Sequence, residues 1–142
     1  MQAIVLCGVQ GSGKTTLYRD RFAAGHEHVS LDVLGSRARE AALIAECLEE
    51  RRPFVVDNTN PTAADRARYI EPARAAGFKV IGYLVEHDGR SEHVGPATVG
   101  ATVRRFVRPT PEEGFDELWH ATSSPGDRWR IEPLLTTPPL FE

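Results

Sequence analysis

The stretch GVQGSGKT, residues 8–15, decides the fold of this chain. It lies directly behind an apolar run at residues 3–7 and directly ahead of a segment that favours a helix. Its spelling is the phosphate-binding loop pattern G-x-x-x-x-G-K-[S/T], in the strand-then-helix setting that gives the pattern its meaning. The sequence therefore predicts a strand, a tight loop and a helix that together bind a nucleoside triphosphate.

Each residue type in this loop has a predicted task. The glycines let the backbone turn tightly and bring its N–H groups against a polyphosphate, and the helix dipole favours the same anion. Lys14 is expected to contact the β- and γ-phosphates, and Thr15 to offer its hydroxyl to Mg²⁺. The predicted nucleotide-binding residues are Gly8, Gln10, Gly11, Ser12, Gly13, Lys14, Thr15 and Thr16.

Length and composition are those of one globular domain spanning residues 1–142, with 41% hydrophobic and 26% charged residues. A net charge of −3 excludes a polycation that binds nucleic acid through bulk charge. The sequence has no apolar run on the order of eighteen residues, so we expect no membrane span, and no signal peptide is expected at its start. Cys7 and Cys47 match no metal-ligand spacing, and as buried free thiols they favour a cytoplasmic location.

Strands and helices are predicted to alternate along the first part of the chain. The predicted strands are residues 3–7, 28–31, 54–56 and 79–85, and the predicted helices are 14–24, 36–50 and 62–76. This alternation predicts an α/β fold in which a mostly parallel sheet carries helices on both faces. Further along we expect a lid at 86–100, a short helix at 102–107, a turn at 109–114, strands at 115–121 and 129–132, and an extended tail at 136–142.

Two carboxylates follow predicted strands, at the sheet edge where ligands of α/β proteins gather. Asp32, in HVSLDVLGSR, is either a general base for an attacking hydroxyl or a capping aspartate ahead of the next helix. Asp57, in FVVDNTNP, matches the second acidic motif of phosphate-loop proteins, whose carboxylate holds Mg²⁺. The alternative is an aspartate that only shapes a turn. Asn58, Thr59 and Asn60 either contact substrate or only shape the loop.

A further cation on the transferring phosphate is a common requirement of phosphoryl transfer. The candidates are Arg90, Arg104, Arg105 and Arg108, of which Arg90 lies within the predicted lid. Trp119 and Trp129 either stack on a nucleobase or simply pack against the protein.

Three blocks behind the loop resemble the kinase domain of the polynucleotide kinase–phosphatase family and, more loosely, phage polynucleotide kinase. They are HVSLDVLGS, DNTNPTAADRARYIEPARAAG and RPTPEEGF, in the same order as in the family. The resemblance covers about residues 3–85 and, in outline, 109–135. It implies a P-loop NTPase kinase fold that binds ATP and Mg²⁺. It also implies an enzyme that transfers the γ-phosphate of ATP to the 5′-hydroxyl end of DNA or RNA.

The resemblance also implies roles for individual residues. Asp32 is similar to the general base of the family, and Asp57 to its strand-end carboxylate. Arg37 has no firm family match, and its position at the start of the helix after Asp32 is what places it near a substrate phosphate. The connection after the fourth strand is shorter than in the family and leaves Arg90 as the lid arginine. The expected catalytic residues are Lys14, Asp32, Asp57 and Arg90, the substrate contacts are Asp32, Arg37, Asn58, Thr59 and Asn60, and the metal ligands are Thr15 and Asp57.

Two other functions remain open at this level. The acidic net charge and the short lid favour a kinase of a small hydroxyl compound, and the lack of an arginine-rich lid favours a nucleotide-binding protein without catalysis. The sequence indicates neither the oligomeric state nor the base of the donor nucleotide.

Overall fold

The computed structural model describes residues 1–87, 106–124 and 128–134, and these form six strands, four helices and one 3₁₀ turn. The strands are β1 (Gln2–Cys7), β2 (Glu27–Val29), β3 (Phe54–Asp57), β4 (Lys79–His87), β5 (Glu117–Ser124) and β6 (Arg128–Pro133). The helices are α1 (Lys14–Arg21), α2 (Leu31–Leu34), α3 (Arg37–Glu50) and α4 (Ala63–Ala75), and the 3₁₀ turn is Pro111–Glu113. None of the helices in these ranges is long and apolar enough to cross a membrane.

The six strands make one sheet in the order β2-β3-β1-β4-β5-β6. All neighbouring pairs are parallel except the last, in which β6 runs antiparallel to β5. In the register between β1 and β3, Leu6 is the partner of Asp57. The strand that leads into the phosphate-binding loop therefore ends beside the strand that ends in a carboxylate, and the predicted α/β fold is confirmed.

Alternation along the central strand β1 separates two cores. Ala3 and Val5 belong to one cluster, which α3 and α4 cover with side chains such as Ile44 and Tyr69. Ile4 and Leu6 point to the opposite face and pack with Leu17 of α1. Since successive side chains of a strand face opposite sides, an apolar run without polar interruptions is what a strand buried on both faces requires. Helices thus cover both faces, as the sequence predicts.

Local signals set the ends of the two longer helices. The hydroxyl of Ser36 accepts from the backbone N–H of Arg39 at 3.2 Å and begins α3. The hydroxyl of Thr62 accepts from the N–H of Asp65 at 3.2 Å and begins α4. Gly77, with φ +81°, follows the end of α4, in the left-handed conformation that glycine adopts most readily.

Two boundaries around the second strand differ from the sequence prediction. Helix α1 ends at Arg21 instead of residue 24, because the N–H groups of Phe22 and Ala23 both turn back to the carbonyl of Tyr18. Leu31 does not end β2. It begins the short helix α2, so Asp32 lies in the first turn of a helix.

The boundaries after the fourth predicted strand also shift. β4 continues to His87 because it pairs with β5 as far as Ser123, so Glu86 and His87 belong to the sheet and not to a lid. The remainder of the predicted lid, residues 88–100, lies outside the described residues. Of the helix predicted at 102–107, only residues 106 and 107 are described, and they are not helical, since the N–H of Val107 pairs with the carbonyl of Pro61 at 2.7 Å.

Both thiols should resist chemical modification in the folded protein. Cys7 and Cys47 are free and fully buried, and burial raises the pKa of Cys7 from 9.0 to about 12. Because the pKa of Cys7 is higher in the folded than in the unfolded protein, the protonated thiol contributes to the free energy of unfolding below pH 9. This contribution is lost as the pH rises from 9 towards 12. We expect a thiol reagent at pH 8 to label neither cysteine in native protein and both in urea. Rapid labelling of native protein would contradict this burial.

Candidate active site

The phosphate-binding loop keeps its shape through close backbone packing. A Cβ atom on Gly8 would lie 2.4 Å from the carbonyl oxygen of Val85, so only glycine fits there. Gly13 has φ +103° and stands directly ahead of α1. No side chain caps this helix end within the described structure, and its first turn contains no acidic residue. The first N–H groups of α1 are therefore available to an anion.

Lys14 lies at the mouth of this loop. Its ammonium group donates to the carbonyls of Gly8 at 3.0 Å and Val9 at 3.1 Å, and the hydroxyl of Ser12 lies at 3.4 Å. Burial lowers the pKa of Lys14, and the nearby carboxylates of Asp57 and Asp32 oppose that shift, as does Cys7. The lysine is thus a desolvated cation held by weak neutral acceptors, an arrangement in which an incoming phosphate gains a strong partner.

Asp57 ends β3 directly opposite the start of α1. Its Oδ2 accepts the hydroxyl of Thr15 at 2.7 Å and lies 2.8 Å from Nε2 of His28. The imidazole of His28 also stacks on Tyr18 of α1, with ring centroids 4.2 Å apart. Because the carboxylate is 4% exposed and held by groups from two other elements, its orientation is fixed.

Asp32 and the loop face the same open cleft, whose volume is about 650 Å³. The cleft extends from the start of α1 across the end of β3 to the first turn of α2. Its lining residues are Gln10, Gly11, Gly13, Lys14, Thr15, Thr16, Ser30, Leu31, Asp32, Asp57, Asn58 and Thr59. The geometry therefore brings together most of the residues predicted to hold phosphate, metal ion and acceptor. Gly8 and Ser12 are buried in the wall of the loop instead of lining the cleft.

Asn58 has its side chain engaged with other protein groups. Its Oδ1 accepts the backbone N–H of Leu31 at 3.0 Å. Its Nδ2 donates to Glu40 at 2.8 Å and to the hydroxyl of Tyr69 at 3.1 Å. Although Asn58 lines the cleft, its carboxamide therefore connects the end of β3 to α2, α3 and α4.

The next two residues divide between the cleft and the interior. Thr59 lines the cleft, and its carbonyl accepts the N–H of Gly8 at 3.1 Å. Asn60 is 3% exposed and has φ +47°, and its Nδ2 donates to the carbonyl of Leu6 at 2.8 Å. The predicted substrate contact of Asn60 does not fit this geometry, because its carboxamide is used to shape the loop inside the protein.

The predicted arginines lie elsewhere. Arg37 does not line the cleft within the described structure. Its Nη1 donates to Glu40 at 2.9 Å and to the hydroxyl of Tyr69 at 2.7 Å, at one end of a groove of about 530 Å³ between α3 and α4. Arg90 lies outside the described residues, as do Arg104 and Arg105, and Arg108 is exposed away from the cleft. The identity of the lid arginine therefore stays a prediction.

Four residues of this region were missed by sequence reasoning. His28 contacts Asp57, Ser30 lines the cleft, and Glu40 and Tyr69 bind Asn58. Only Glu40 could have been found from the sequence, because Glu40, Ile44 and Cys47 stand at i, i+4 and i+7 and therefore share one helix face. A glutamate on the buried face of an amphipathic helix indicates a carboxylate with internal partners.

A second, smaller cavity of about 100 Å³ adjoins the start of α1. Gly13 and Thr16 line both this cavity and the main cleft, and His87, Ser123 and Trp129 complete it. The indole of Trp129 donates to Asp20 at 3.0 Å, which fixes its ring beside the loop. Trp119 lies away from both cavities and packs against the core on the α1 face.

Comparison with known proteins agrees with this architecture. A family model described as an AAA domain matches residues 4–114, which include the loop, Asp32 and Asp57. The chain belongs to that AAA domain family. Its members share the P-loop kinase fold, so the fold expected from the resemblance is confirmed.

Curated relatives of this AAA domain chain include two bifunctional enzymes. The bifunctional polynucleotide phosphatase/kinase of Schizosaccharomyces pombe is 28% identical over 132 residues, covering 82% of this chain and 32% of the relative. The putative enzyme of the same description from Acanthamoeba polyphaga mimivirus is 26% identical over 135 residues, with the same two coverages. The chain thus spans about a third of the length of these relatives.

Solved structures show the same fold at low identity. Chaetomium thermophilum Kti12 in complex with ADP-AlF3 has a TM-score of 0.62 at 18% identity, covering 83% of this chain and 87% of that one. A gluconokinase from Sinorhizobium meliloti has a TM-score of 0.60 at 16% identity, covering 85% and 82%. These likenesses establish the P-loop kinase fold and do not distinguish between acceptors.

Proposed function

We propose that this chain is a phosphotransferase that moves the γ-phosphate of ATP to the 5′-hydroxyl end of a polynucleotide. The observation that carries the proposal is the position of Asp32. It lines the same cleft as Lys14 and Thr15 and is close enough to influence the pKa of Lys14 electrostatically. A carboxylate at this place can accept the proton of a hydroxyl that attacks a phosphate bound by the loop.

The donor end of the cleft fits a nucleoside triphosphate. Lys14 and the N–H groups at the start of α1 would bind the β- and γ-phosphates. The solved structure of Kti12 in complex with ADP-AlF3, which shares the fold, supports an adenine nucleotide as donor. The nucleoside would extend past Thr16, because Thr16 lines both the phosphate cleft and the smaller cavity beside Trp129.

The residues present also fit Mg²⁺. Thr15 Oγ1 and Asp57 Oδ2 are hard oxygen donors 2.7 Å apart at the start of α1, although the described residues contain no cluster of three or more His, Cys, Asp or Glu side chains able to hold a metal. A site of one hydroxyl and one carboxylate suits Mg²⁺, which takes few protein ligands. When bound, the ion would neutralise charge on the phosphates.

The reaction would proceed by direct displacement. The acceptor oxygen forms a bond to the γ-phosphorus, the bond from that phosphorus to the bridging oxygen of ADP breaks, and Asp32 takes the proton of the hydroxyl. Lys14 would stabilise the negative charge on the phosphoryl oxygens during transfer. The two curated phosphatase/kinase relatives support a polynucleotide as the acceptor.

Labelled ATP tests this proposal directly. We expect transfer of label to an oligonucleotide with a 5′-hydroxyl and none to the same oligonucleotide that already carries a 5′-phosphate. Lys14→Ala should abolish the signal, because the variant loses the cation at the mouth of the loop.

Two other outcomes would overturn the proposal. Transfer to nucleosides or sugars but not to oligonucleotides would show a small-molecule kinase. Tight ATP binding without transfer to any acceptor would show a nucleotide-binding protein.

A further inference from the structure

The short helix α2, which carries Asp32, has few interactions of its own to hold it. It contains four residues, none of them buried, and Val33 is 72% exposed. Leu34, at the far end of α2, packs against the core. At the near end, the side chain of Ser30 makes no capping hydrogen bond to the helix. The placement of Asp32 therefore depends on whatever holds the first turn of α2.

Asn58 supplies that contact from another strand. The N–H of Leu31 is the first helical amide of α2, a group that has no partner within a helix. Asn58 Oδ1 accepts it at 3.0 Å. The side chain thus acts as a cap from outside the helix, one residue before Asp32. Its effect depends on which side of the carboxamide faces Leu31.

Glu40 determines that orientation. Its carboxylate is 1% exposed, and Oε2 accepts the Nδ2 of Asn58 at 2.8 Å while Oε1 accepts the hydroxyl of Tyr69 at 2.9 Å and Arg37 Nη1 at 2.9 Å. A carboxylate accepts hydrogen bonds and cannot donate them. The NH₂ group of Asn58 must therefore face Glu40, which leaves its oxygen facing Leu31.

We propose that Glu40 is a positioning residue for phosphoryl transfer, which places Asp32 through the carboxamide of Asn58 and the amide of Leu31. The inference rests on the proposed function, because it assigns Glu40 an effect on the step that Asp32 performs. Glu40 does not line the cleft within the described structure, so it acts through other residues and not on substrate. A buried carboxylate is costly unless it is fully hydrogen-bonded, and the contacts of Glu40 meet that condition.

Glu40→Gln tests the proposal with little change in shape. The new side-chain oxygen can still accept from Arg37 and Tyr69, but the new NH₂ group would face the NH₂ of Asn58. The carboxamide of Asn58 would turn over to relieve this contact and present its NH₂ to the N–H of Leu31. We expect kcat to fall about tenfold or more, since small misplacements of catalytic groups have effects of that size. The KM for ATP should stay within about twofold, because the phosphate-binding loop is unchanged.

Matched variants separate positioning from general structure. Glu49→Gln makes the same chemical change at an exposed site of α3 and should leave kcat unchanged. Tyr69→Phe keeps the ring in the core but removes one donor to Glu40 and one acceptor of Asn58 Nδ2, so it should also lower kcat even if Glu40→Gln folds poorly. In an Asp32→Asn background, Glu40→Gln should cause no further loss, because a residue that acts through Asp32 has nothing left to position.

Amide exchange gives a readout that does not depend on activity. The N–H of Leu31 should exchange faster with solvent in Glu40→Gln than in wild type, while amides of β1 should keep their protection. A normal kcat for both Glu40→Gln and Tyr69→Phe would overturn the inference, and so would equal losses from Glu40→Gln with and without Asp32. Full activity of Asp32→Asn would instead refute the proposed mechanism itself. The activities of the Glu40 variants do not test that mechanism, so the two failures can be told apart.

Discussion

Asp32→Asn should lower the rate of phosphoryl transfer by about 10²–10⁴-fold, the usual contribution of a general base. The change preserves size and removes the ability to accept the proton of the attacking hydroxyl. Asp32 is exposed on α2, where it makes little contribution to the core. The affinity for ATP should therefore change little, since the loop and Asp57 are untouched. Single-turnover transfer from labelled ATP, together with a nucleotide titration, measures both quantities.

Asp20→Asn is the matched control for this experiment. Asp20 is exposed on α1 and binds the indole of Trp129 at 3.0 Å, away from the acceptor side of the cleft. An equal loss of transfer in both variants would indicate a general effect of surface charge. Full activity of Asp32→Asn would show that another group takes the proton and would refute the role of general base proposed for Asp32.

Arg66→Met should destabilise the protein by about 3–5 kcal/mol, the usual effect of removing one partner of a buried ion pair. Arg66 is fully buried, and its guanidinium binds Glu113 through two hydrogen bonds of 2.7 and 3.0 Å. Its Nη1 also donates to the carbonyl of Asn60 at 2.9 Å. The variant leaves the mostly buried carboxylate of Glu113 without its cation. Because domains are stable by only about 5–15 kcal/mol, urea unfolding should show a large shift of the midpoint.

Arg74→Met, on the same helix, provides the comparison. Arg74 pairs with Asp116 at 3.5 Å, and both side chains are about half exposed. Exposed pairs of this kind contribute about 0–1 kcal/mol. The double variant Arg66→Met with Glu113→Leu should recover part of the lost stability, because no unpaired charge then remains. An unfolding midpoint of Arg66→Met equal to that of Arg74→Met would contradict the assigned role.

The phosphate-binding loop and the order of the elements could be predicted because their signals are local. The loop is spelled by consecutive residues, and Asp57 follows three apolar residues that form a buried strand. Apolar runs and glycine positions set the remaining strands and helices, although the end of β4 is set by β5, a pairing partner distant in sequence. Hydrogen bonding between remote segments decides such boundaries, and a linear pattern does not contain it.

The supporting contacts of the candidate site could not be predicted for the same reason. Asn58 was expected to contact substrate or shape its loop, and its carboxamide instead joins residues 27 positions earlier and 11 positions later. The helix face that Glu40 shares with Ile44 and Cys47 indicates its burial, and it is 1% exposed, but the spacing does not identify the groups that bind it. Arg37 is its neighbour one turn earlier on α3, whereas Tyr69 reaches it only because α4 packs beside α3.

The antiparallel strand β6 has a consequence for how copies of this chain meet one another. In the described part of the chain β6 is an edge strand of the sheet, and an edge strand can pair with a strand from another molecule. Pro133 contributes no amide hydrogen there, and the side chains of Arg130 and Glu132 are 73% and 56% exposed. Proline and charge are the features that block such additions. The edge strand β6 should therefore resist intermolecular strand exchange and the growth of amyloid-like stacks.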